Sequence, residues 1–224
     1  MMYGILFSIV SILILAIATA NGGWYWTLLW PAFSFGVVAS GYLYFGPRIF
    51  GKEANGRLSL LAQLVLLPYL LLVWSIWHLL RTVKRESAFD SIAKNVLLGR
   101  RLLSHELPAN VSHVVDLTSE FTESASLRTR SYFSFPILDG LAPSPTQLIT
   151  WVNAISILSG TIFIHCAEGH GRSGLFAAAL LLRRGLAQTP EEALQFIQSR
   201  RPLVRLSRLQ HAVLDKIHRD GWPN

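Results

Sequence analysis

The chain has 224 residues, a formal net charge of +7 and a single cysteine, Cys166. One cysteine excludes an intramolecular disulfide framework and a zinc site built from several cysteines. The basic surplus suits an anionic substrate or a membrane surface, but it lacks the dense Lys/Arg patterning of a nucleic-acid-binding protein. We therefore expect no nucleic-acid partner, and the thiol is either a small buried group or a reactive one.

The first third of the chain is strongly hydrophobic. No Asp, Glu, Lys or Arg precedes Arg48, and a second uncharged run covers residues 58–80. The stretches 4–20, 28–45 and 58–80 approach the roughly 20 apolar residues that a helix needs to cross a bilayer. Aromatic residues flank the second stretch, as in the aromatic belts at membrane interfaces. We predict a hydrophobic membrane region over residues 1–84 with about three transmembrane helices.

Two other interpretations compete for the first span. Ala18, Thr19 and Ala20 resemble a signal-peptidase site, although the positive leading segment of a signal peptide is missing. A buried core helix is the second alternative. The segment after the third span carries slightly more basic residues than the loop between the second and third spans. By the positive-inside rule, we predict a multi-pass membrane protein whose C-terminal domain lies in the cytoplasm.

The remainder, residues 85–224, has the mixed composition of a globular domain and is long enough to bury its own core. Valine-rich or apolar runs predict strands, and capping residues ahead of apolar periodicity predict helices. The predicted strands are 97–103, 111–117, 132–136 and 161–165. The predicted helices begin near Ser144, Ser173, Thr189 and Ser207. This alternation predicts an α/β domain with a partly parallel central sheet flanked by helices.

The stretch HCAEGHGRSG, residues 165–174, contains the only cysteine. It lies between a predicted buried strand and a predicted helix, so its backbone N–H groups lie at the positive end of a helix dipole. Glycines at 169 and 171 permit unusual dihedral angles and close backbone approach. A thiol in such a loop loses its proton readily, and the planar fork of Arg172 can hold two phosphoryl oxygens. The pattern predicts a cradle for a phosphate group beside a nucleophilic thiolate.

The stretch HCAEGHGRS matches the signature HCxxGxxR[ST]. By this match the chain resembles the cysteine-dependent protein-tyrosine-phosphatase superfamily, and most of all its small dual-specificity phosphatases. The resemblance covers residues 95–220, with LLGRRLL and VVDLT upstream. It implies the fold of that family and a nucleophile at Cys166 that forms a phosphocysteine intermediate. It also implies that Arg172 binds phosphate and stabilises the transition state. Ser173 would help the thiolate leave, and His165 would order the loop and tune the cysteine. The implied phosphate-binding amides are those of Ala167, Glu168, Gly169, His170 and Gly171.

Members of this family also need a general acid that protonates the leaving oxygen, an aspartate on a loop upstream of the signature. The resemblance places it in FPILDGLAP, residues 135–143, where Asp139 follows a predicted strand and precedes a predicted helix. Asp139 could instead cap that helix, although Ser144 is nearer to its start. Asp116 is a rival acid at a strand end, where a role in a structural turn is the simpler interpretation.

The remaining charged and metal-ligating side chains show no pattern of a second site. The histidines outside the signature lack metal-ligand spacing, so we expect no metal and no organic cofactor. Arg200, Arg201 and Arg205 allow two interpretations, a rim that faces the phosphate or a solvated surface, of which the second is simpler.

These observations predict a membrane-anchored hydrolase of phosphate monoesters on phosphotyrosine, phosphoserine or phosphothreonine proteins. A phospholipid headgroup is the alternative substrate, because the enzyme would sit at a membrane. Family members that act on phosphoinositides often carry lysines in the loop, where this chain has Ala167, Glu168 and His170; that difference favours a protein substrate. A catalytically inactive phosphate-binding module is a third hypothesis, against which stand the nucleophile, the arginine, the hydroxyl and the acid. The oligomeric state is left open.

Overall fold

The computed structural model describes residues 2–222. Residue 1 of the predicted region 1–84 and residues 223–224 of the predicted region 85–224 lie outside the described residues. The described chain forms two compact units. The first contains the residues up to Arg85 together with Ser119–Thr122. The second contains Glu86–Thr118 and the residues from Glu123 onward.

Three helices build the first unit. They are α1 (Met2–Asn21), α2 (Leu29–Ser40) and α3 (Leu60–Val83). Short 3-10 and π turns extend α2 at both ends into one helical stretch, Gly23–Phe50. By length and composition alone, all three stretches are apolar enough to cross a membrane. Each is longer than the corresponding predicted span, because backbone hydrogen bonding continues past the apolar residues.

Aromatic and hydroxyl contacts join the three helices of the first unit. The ring of Tyr69 in α3 lies edge-on to Phe7 of α1, with centroids 5.5 Å apart, and edge-on to Phe35 of α2 at 5.8 Å. Ser11 Oγ donates a hydrogen bond of 2.7 Å to the carbonyl of Ala32, which links α1 to α2. Because the offset and edge-on arrangements of aromatic rings are the favoured ones, this cluster gives the unit a specific packing.

The second unit is a five-stranded sheet flanked by helices. Its strands are β1 (Phe89–Ala93), β2 (Val96–Arg100), β3 (Val111–Thr118), β4 (Ser131–Ile137) and β5 (Thr161–Cys166). Its helices are α4 (Ala125–Arg128), α5 (Pro145–Ser156), α6 (Gly171–Arg183), α7 (Pro190–Gln198) and α8 (Arg208–Asp220). The strand order is β1-β2-β5-β3-β4, with β1 antiparallel to β2 and the other pairs parallel. The predicted α/β class with a partly parallel sheet is confirmed.

Strand β5 lies at the centre of the sheet and is buried along its whole length. Successive side chains of a strand face opposite sides. Ile162 and Ile164 join the larger core with α5 to α8, whereas Phe163 joins a smaller core with Leu127 of α4. The strand ends at Cys166, and the crevice outside the carboxyl ends of parallel strands is where α/β sheets bind their ligands.

Local signals in the sequence predict three helix starts of the second unit correctly, whereas the helix predicted from Ser173 begins two residues earlier, at Gly171. The side chains of Ser144, Thr189 and Ser207 accept hydrogen bonds from backbone N–H groups three residues ahead, as N-caps do. The strand predicted at 97–103 ends at Arg100, because Arg101 N–H turns away to the carbonyl of Ala167. Strand β1 and the short helix α4 were not predicted, since FDSIA lacks clear alternation and one turn of helix is too short to show periodicity.

Candidate active site

The candidate nucleophile stands at the end of a buried strand with two donors beside it. Cys166 is 3% exposed, and its Sγ lies 3.3 Å from Ser173 Oγ. The backbone N–H of Gly169 donates to the same sulfur at 3.3 Å. Helix α6 begins at Gly171, so the positive end of its dipole is close by. The sulfur therefore lies among a hydroxyl, a backbone amide and the start of a helix, all at one end of the central strand.

The loop between Cys166 and α6 is held by its carbonyl oxygens. Four successive carbonyls each accept a hydrogen bond of 2.9–3.2 Å: Ala167 from Arg101 N, Glu168 and Gly169 from the Arg201 guanidinium, and His170 from Gly174 N. In a trans peptide the N–H points opposite to the C=O. The N–H groups of 168 to 171 therefore face away from these donors, on the side where Gly169 N–H meets the cysteine sulfur. Such a ring of amides is a nest for an anion.

The two glycines of the loop have different physical roles. Gly169 has a φ of +79°, and a Cβ there would lie 2.4 Å from the backbone carbon of Gly99 in β2. Gly171 has no positive φ and is helical; a Cβ there would lie 3.2 Å from Gln210 Oε1. The expectation of unusual dihedral angles at both glycines is thus correct for Gly169 and wrong for Gly171, where close packing against a side chain is the reason for glycine.

Arg172 and Asp139 meet beside this loop. Arg172 is 2% exposed and donates through Nη1 to the carbonyl of Ile137 at 3.0 Å. Its Nη2 lies 3.3 Å from Asp139 Oδ1, while the Asp139 side chain is 64% exposed. The fold therefore brings an accessible carboxyl group to the buried guanidinium of Arg172. A proton donor in that position can reach the oxygen that leaves phosphorus.

Asp116, the rival acid, is completely buried within strand β3. Its Oδ1 accepts hydrogen bonds from Thr118 N–H at 2.8 Å and from Thr118 Oγ1 at 2.7 Å. Its Oδ2 accepts a bond of 2.5 Å from the hydroxyl of Tyr132. Burial, reinforced by the charge of Asp116, raises the pKa of Tyr132 far above its ordinary value, so the phenol remains a donor. Asp116 therefore has a structural role, as expected, but the expected turn is wrong, because the residue lies within β3.

His165 lies fully buried behind the cysteine, next to two carboxylates. Its Nε2 is 3.7 Å from Glu123 Oε2 and 3.9 Å from Asp116 Oδ1, and its ring stacks on Phe163. The ligand atoms of these three residues lie within 4.8 Å of one another, a spacing that a metal ion could use. However, Asp116 Oδ1 already accepts two hydrogen bonds, and Arg101 Nε lies 3.3 Å from Glu123 Oε2. These contacts already occupy carboxylate oxygens of the cluster, so it fits a buried polar network better than a metal site.

Sequence reasoning missed Glu123 and preferred the wrong one of its two interpretations for Arg201. Nothing in the local sequence distinguishes Glu123 from a surface acid. The solvated interpretation of Arg201 is wrong, because the side chain is buried and donates to two carbonyls of the loop 167–170, which is called the phosphate loop below. Arg200 and Arg205 are exposed, and Arg205 donates to the carbonyls of Pro202 and Val204 in its own turn.

Comparison with protein families agrees with this geometry. A family model described as "PTP-SAK: Swiss Army Knife protein, DSP-PTPase phosphatase domain" matches residues 100–216, slightly more than half of the chain. The matched region contains β3, β4, β5, the loop with Cys166 and α8 as far as Lys216.

Solved structures are similar to a little under two thirds of the chain. The crystal structure of Tk-PTP in the active form is 28% identical with a TM-score of 0.52, covering 59% of this chain and 97% of that chain. The crystal structure of PTPMT1 in complex with PI(5)P is 22% identical with a TM-score of 0.53, covering 60% and 96%, and shows the fold alone.

Two curated viral proteins, each carrying a provisional tyrosine-phosphatase name, match shorter stretches. Protein 197R of Invertebrate iridescent virus 6 is 42% identical over 57 residues, which is 22% of this chain. Protein 067L of Invertebrate iridescent virus 3 is 35% identical over 83 residues, or 33% of this chain. The matches span only 21% and 35% of the viral proteins' own lengths.

Proposed function

The chain belongs to the family of Swiss Army Knife DSP-PTPase phosphatase domains and is a cysteine-dependent phosphatase. From this premise we propose that it is a membrane-anchored enzyme whose substrates are proteins phosphorylated on tyrosine, serine or threonine. The observation that carries the proposal is the phosphate loop. Its four carbonyls are held from behind, which directs its N–H groups toward Cys166. An oxyanion in that nest lies in front of the sulfur, where in-line attack is possible.

The first half of the reaction transfers the phosphoryl group to sulfur. The Cys166 thiolate attacks phosphorus, forming an S–P bond while the P–O bond to the substrate oxygen breaks. Asp139 donates its proton to that oxygen, which leaves as the neutral hydroxyl of the product. Arg172 and the loop amides bind the phosphoryl oxygens and stabilise the charge they carry in the transition state.

The second half regenerates the thiolate. Water attacks the phosphorus of phosphocysteine, and the Asp139 carboxylate accepts the proton that the water loses. The S–P bond breaks, and inorganic phosphate departs. The Ser173 hydroxyl, 3.3 Å from the sulfur, donates a hydrogen bond to the departing thiolate and lowers its energy. His165 acts from behind the loop as a positioning residue, because it is buried away from the substrate side.

Charge at the loop supports a protein substrate over a lipid headgroup. Glu168 contributes a half-exposed carboxylate to the loop, and a like charge at the rim repels a headgroup that carries several phosphates. The three helices of membrane-spanning length favour the alternative, a lipid phosphatase, because they would hold the enzyme next to a singly phosphorylated headgroup.

A direct comparison of substrates tests the proposal. The full chain in detergent or lipid nanodiscs is assayed on phosphotyrosine, phosphoserine and phosphothreonine peptides and on vesicles of singly phosphorylated lipid, with Cys166→Ser as the inactive control. We expect vanadate-sensitive release of phosphate from the peptides and none from the control variant. Activity confined to the vesicles selects the lipid alternative, and turnover that survives in Cys166→Ser refutes the thiolate mechanism.

The orientation of the catalytic domain needs its own experiment. We propose that the domain lies in the cytoplasm, on the basis of the basic residues that follow the third apolar helix. Alkaline phosphatase fused to the C-terminus requires export for activity. The fusion should therefore be inactive, and an active fusion would place the catalytic domain on the other side of the membrane.

A further inference from the structure

The carboxylate of Glu86 binds a side chain of the phosphate loop. Glu86 is the third residue after α3 and the first of the second unit. His170 Nε2 lies 2.8 Å from one of its oxygens and 3.0 Å from the other. Since an ionised carboxylate only accepts hydrogen bonds, the ring nitrogen that faces it carries the proton. On the other side of the ring, His170 Nδ1 lies 3.6 Å from Glu168 Oε2.

The same carboxylate also binds Arg201, whose side chain is fully buried. Five oxygen atoms lie 2.7–3.2 Å from the guanidinium nitrogens, four of them as hydrogen-bond acceptors and Glu86 Oε1 as an ion-pair partner. They are Gly169 O at Nε, Ser87 O and Asp90 Oδ2 at Nη1, and Glu168 O and Glu86 Oε1 at Nη2. Two of the five belong to the phosphate loop, and three belong to residues 86–90.

We propose that Glu86 is a positioning residue for phosphate binding, which acts through His170 and Arg201; the inference rests on the function proposed above. Its carboxylate contacts both the ring of His170, which belongs to the loop, and the guanidinium of Arg201, which binds two loop carbonyls. The peptide units whose carbonyls Arg201 holds contain the N–H groups of Gly169 and His170. Glu86 thereby fixes the direction of amides that bind the substrate oxyanion.

The electrostatics of the pair make the loss of Glu86 costly. A buried guanidinium needs compensating negative charge, and removing the charge of one of its two carboxylate partners leaves it only partly compensated. Asp90 remains on Nη1 in a Glu86 variant, so the arginine keeps one carboxylate and the domain is expected to fold. His170, by contrast, loses its contact with a charged carboxylate, so the phosphate loop loses that restraint.

Tungstate, an oxyanion analogue of phosphate, measures the effect without turnover. Its binding to the full chain in detergent is titrated by calorimetry for the wild type, Glu86→Gln, His170→Ala and the double variant, and KM and kcat are measured on an aryl phosphate. Glu191→Gln, which makes the same charge change at an exposed helix start, is the control. We expect Glu86→Gln to weaken tungstate binding about tenfold, as loss of one charge-assisted hydrogen bond does, and to raise KM more than it lowers kcat.

The double variant tests whether Glu86 acts through the loop. In the His170→Ala background, Glu86→Gln should weaken tungstate binding less than it does in the wild type, because one of its partners is already gone. Independent effects of the two substitutions overturn the proposal, and so does a Glu86→Gln protein with a lower melting temperature but wild-type tungstate affinity. A wild-type chain that neither binds tungstate nor turns over substrate refutes the proposed function itself, whereas an active wild type with a wild-type-like Glu86→Gln refutes only this inference.

Discussion

Substitution of Gly169 by alanine adds one methyl group at the tightest point of the phosphate loop. Gly169 has a φ of +79°, and its added Cβ would lie 2.4 Å from Gly99 C and 2.6 Å from Arg100 N. Both neighbours are backbone atoms at the end of β2. No side-chain rotation can relieve the contact, so either the loop or the strand has to move.

The size of the effect follows from that geometry. A positive φ costs a residue with a Cβ about 1–2 kcal/mol. Relief of the contact to the 3.4 Å at which ordinary van der Waals distances begin requires a shift of 3.4 − 2.4 = 1.0 Å. Misplacement of reacting groups by about 1 Å costs on the order of 10²-fold in rate. We therefore expect kcat/KM to fall about 100-fold, equivalent to about 2.7 kcal/mol of transition-state stabilisation.

Gly185→Ala is the matched control, because Gly185 has a φ of +68° and nothing within 4 Å of an added Cβ. The assay compares kcat/KM on an aryl phosphate and the melting temperature for both variants in the full chain. Gly185→Ala should lower the melting temperature while kcat/KM stays within about twofold of the wild type. The reasoning fails if Gly169→Ala keeps kcat/KM near the wild-type value, or if Gly185→Ala loses as much activity as Gly169→Ala.

Three further substitutions separate the proposed roles. Asp139→Asn should lower kcat on an aryl phosphate about 10²–10⁴-fold; near-normal kinetics would assign the acid to another residue. Ser173→Ala should slow hydrolysis of phosphocysteine, seen in stopped-flow as a burst of released alcohol that equals the enzyme concentration, and a linear trace would contradict that role. Tyr132→Phe removes a donor to the buried carboxylate of Asp116 and should destabilise the domain by about 1–3 kcal/mol, measured as a lower melting temperature with nearly normal kcat/KM; an unchanged melting temperature would show that the hydrogen bond contributes little.

The sequence predicts best what is encoded by neighbouring residues. Helix caps such as Ser144 need only the next three residues, and the loop that begins at Cys166 is written as one continuous stretch between a strand and a helix. Asp139 needed more, since its link to the site is a resemblance to a family and a contact with Arg172, 33 positions later. The edge strand β1 has no alternation of its own, because its residues take their place only by pairing with β2.

Adjacent arginines show why the support of the loop is not legible in the sequence. Arg200 and Arg201 are chemically identical neighbours, yet Arg200 is exposed and Arg201 is buried. Burial of a guanidinium is tolerated only where hydrogen-bond acceptors or carboxylates surround it. The five oxygen atoms around Arg201 come from residues 86–90 and 168–169. Those segments are separated from it by 32 to 115 positions, so neither composition nor periodicity can identify the partners. The signature therefore specifies the chemistry, whereas the geometry of its amides depends on Glu86 and Arg201, which lie outside it.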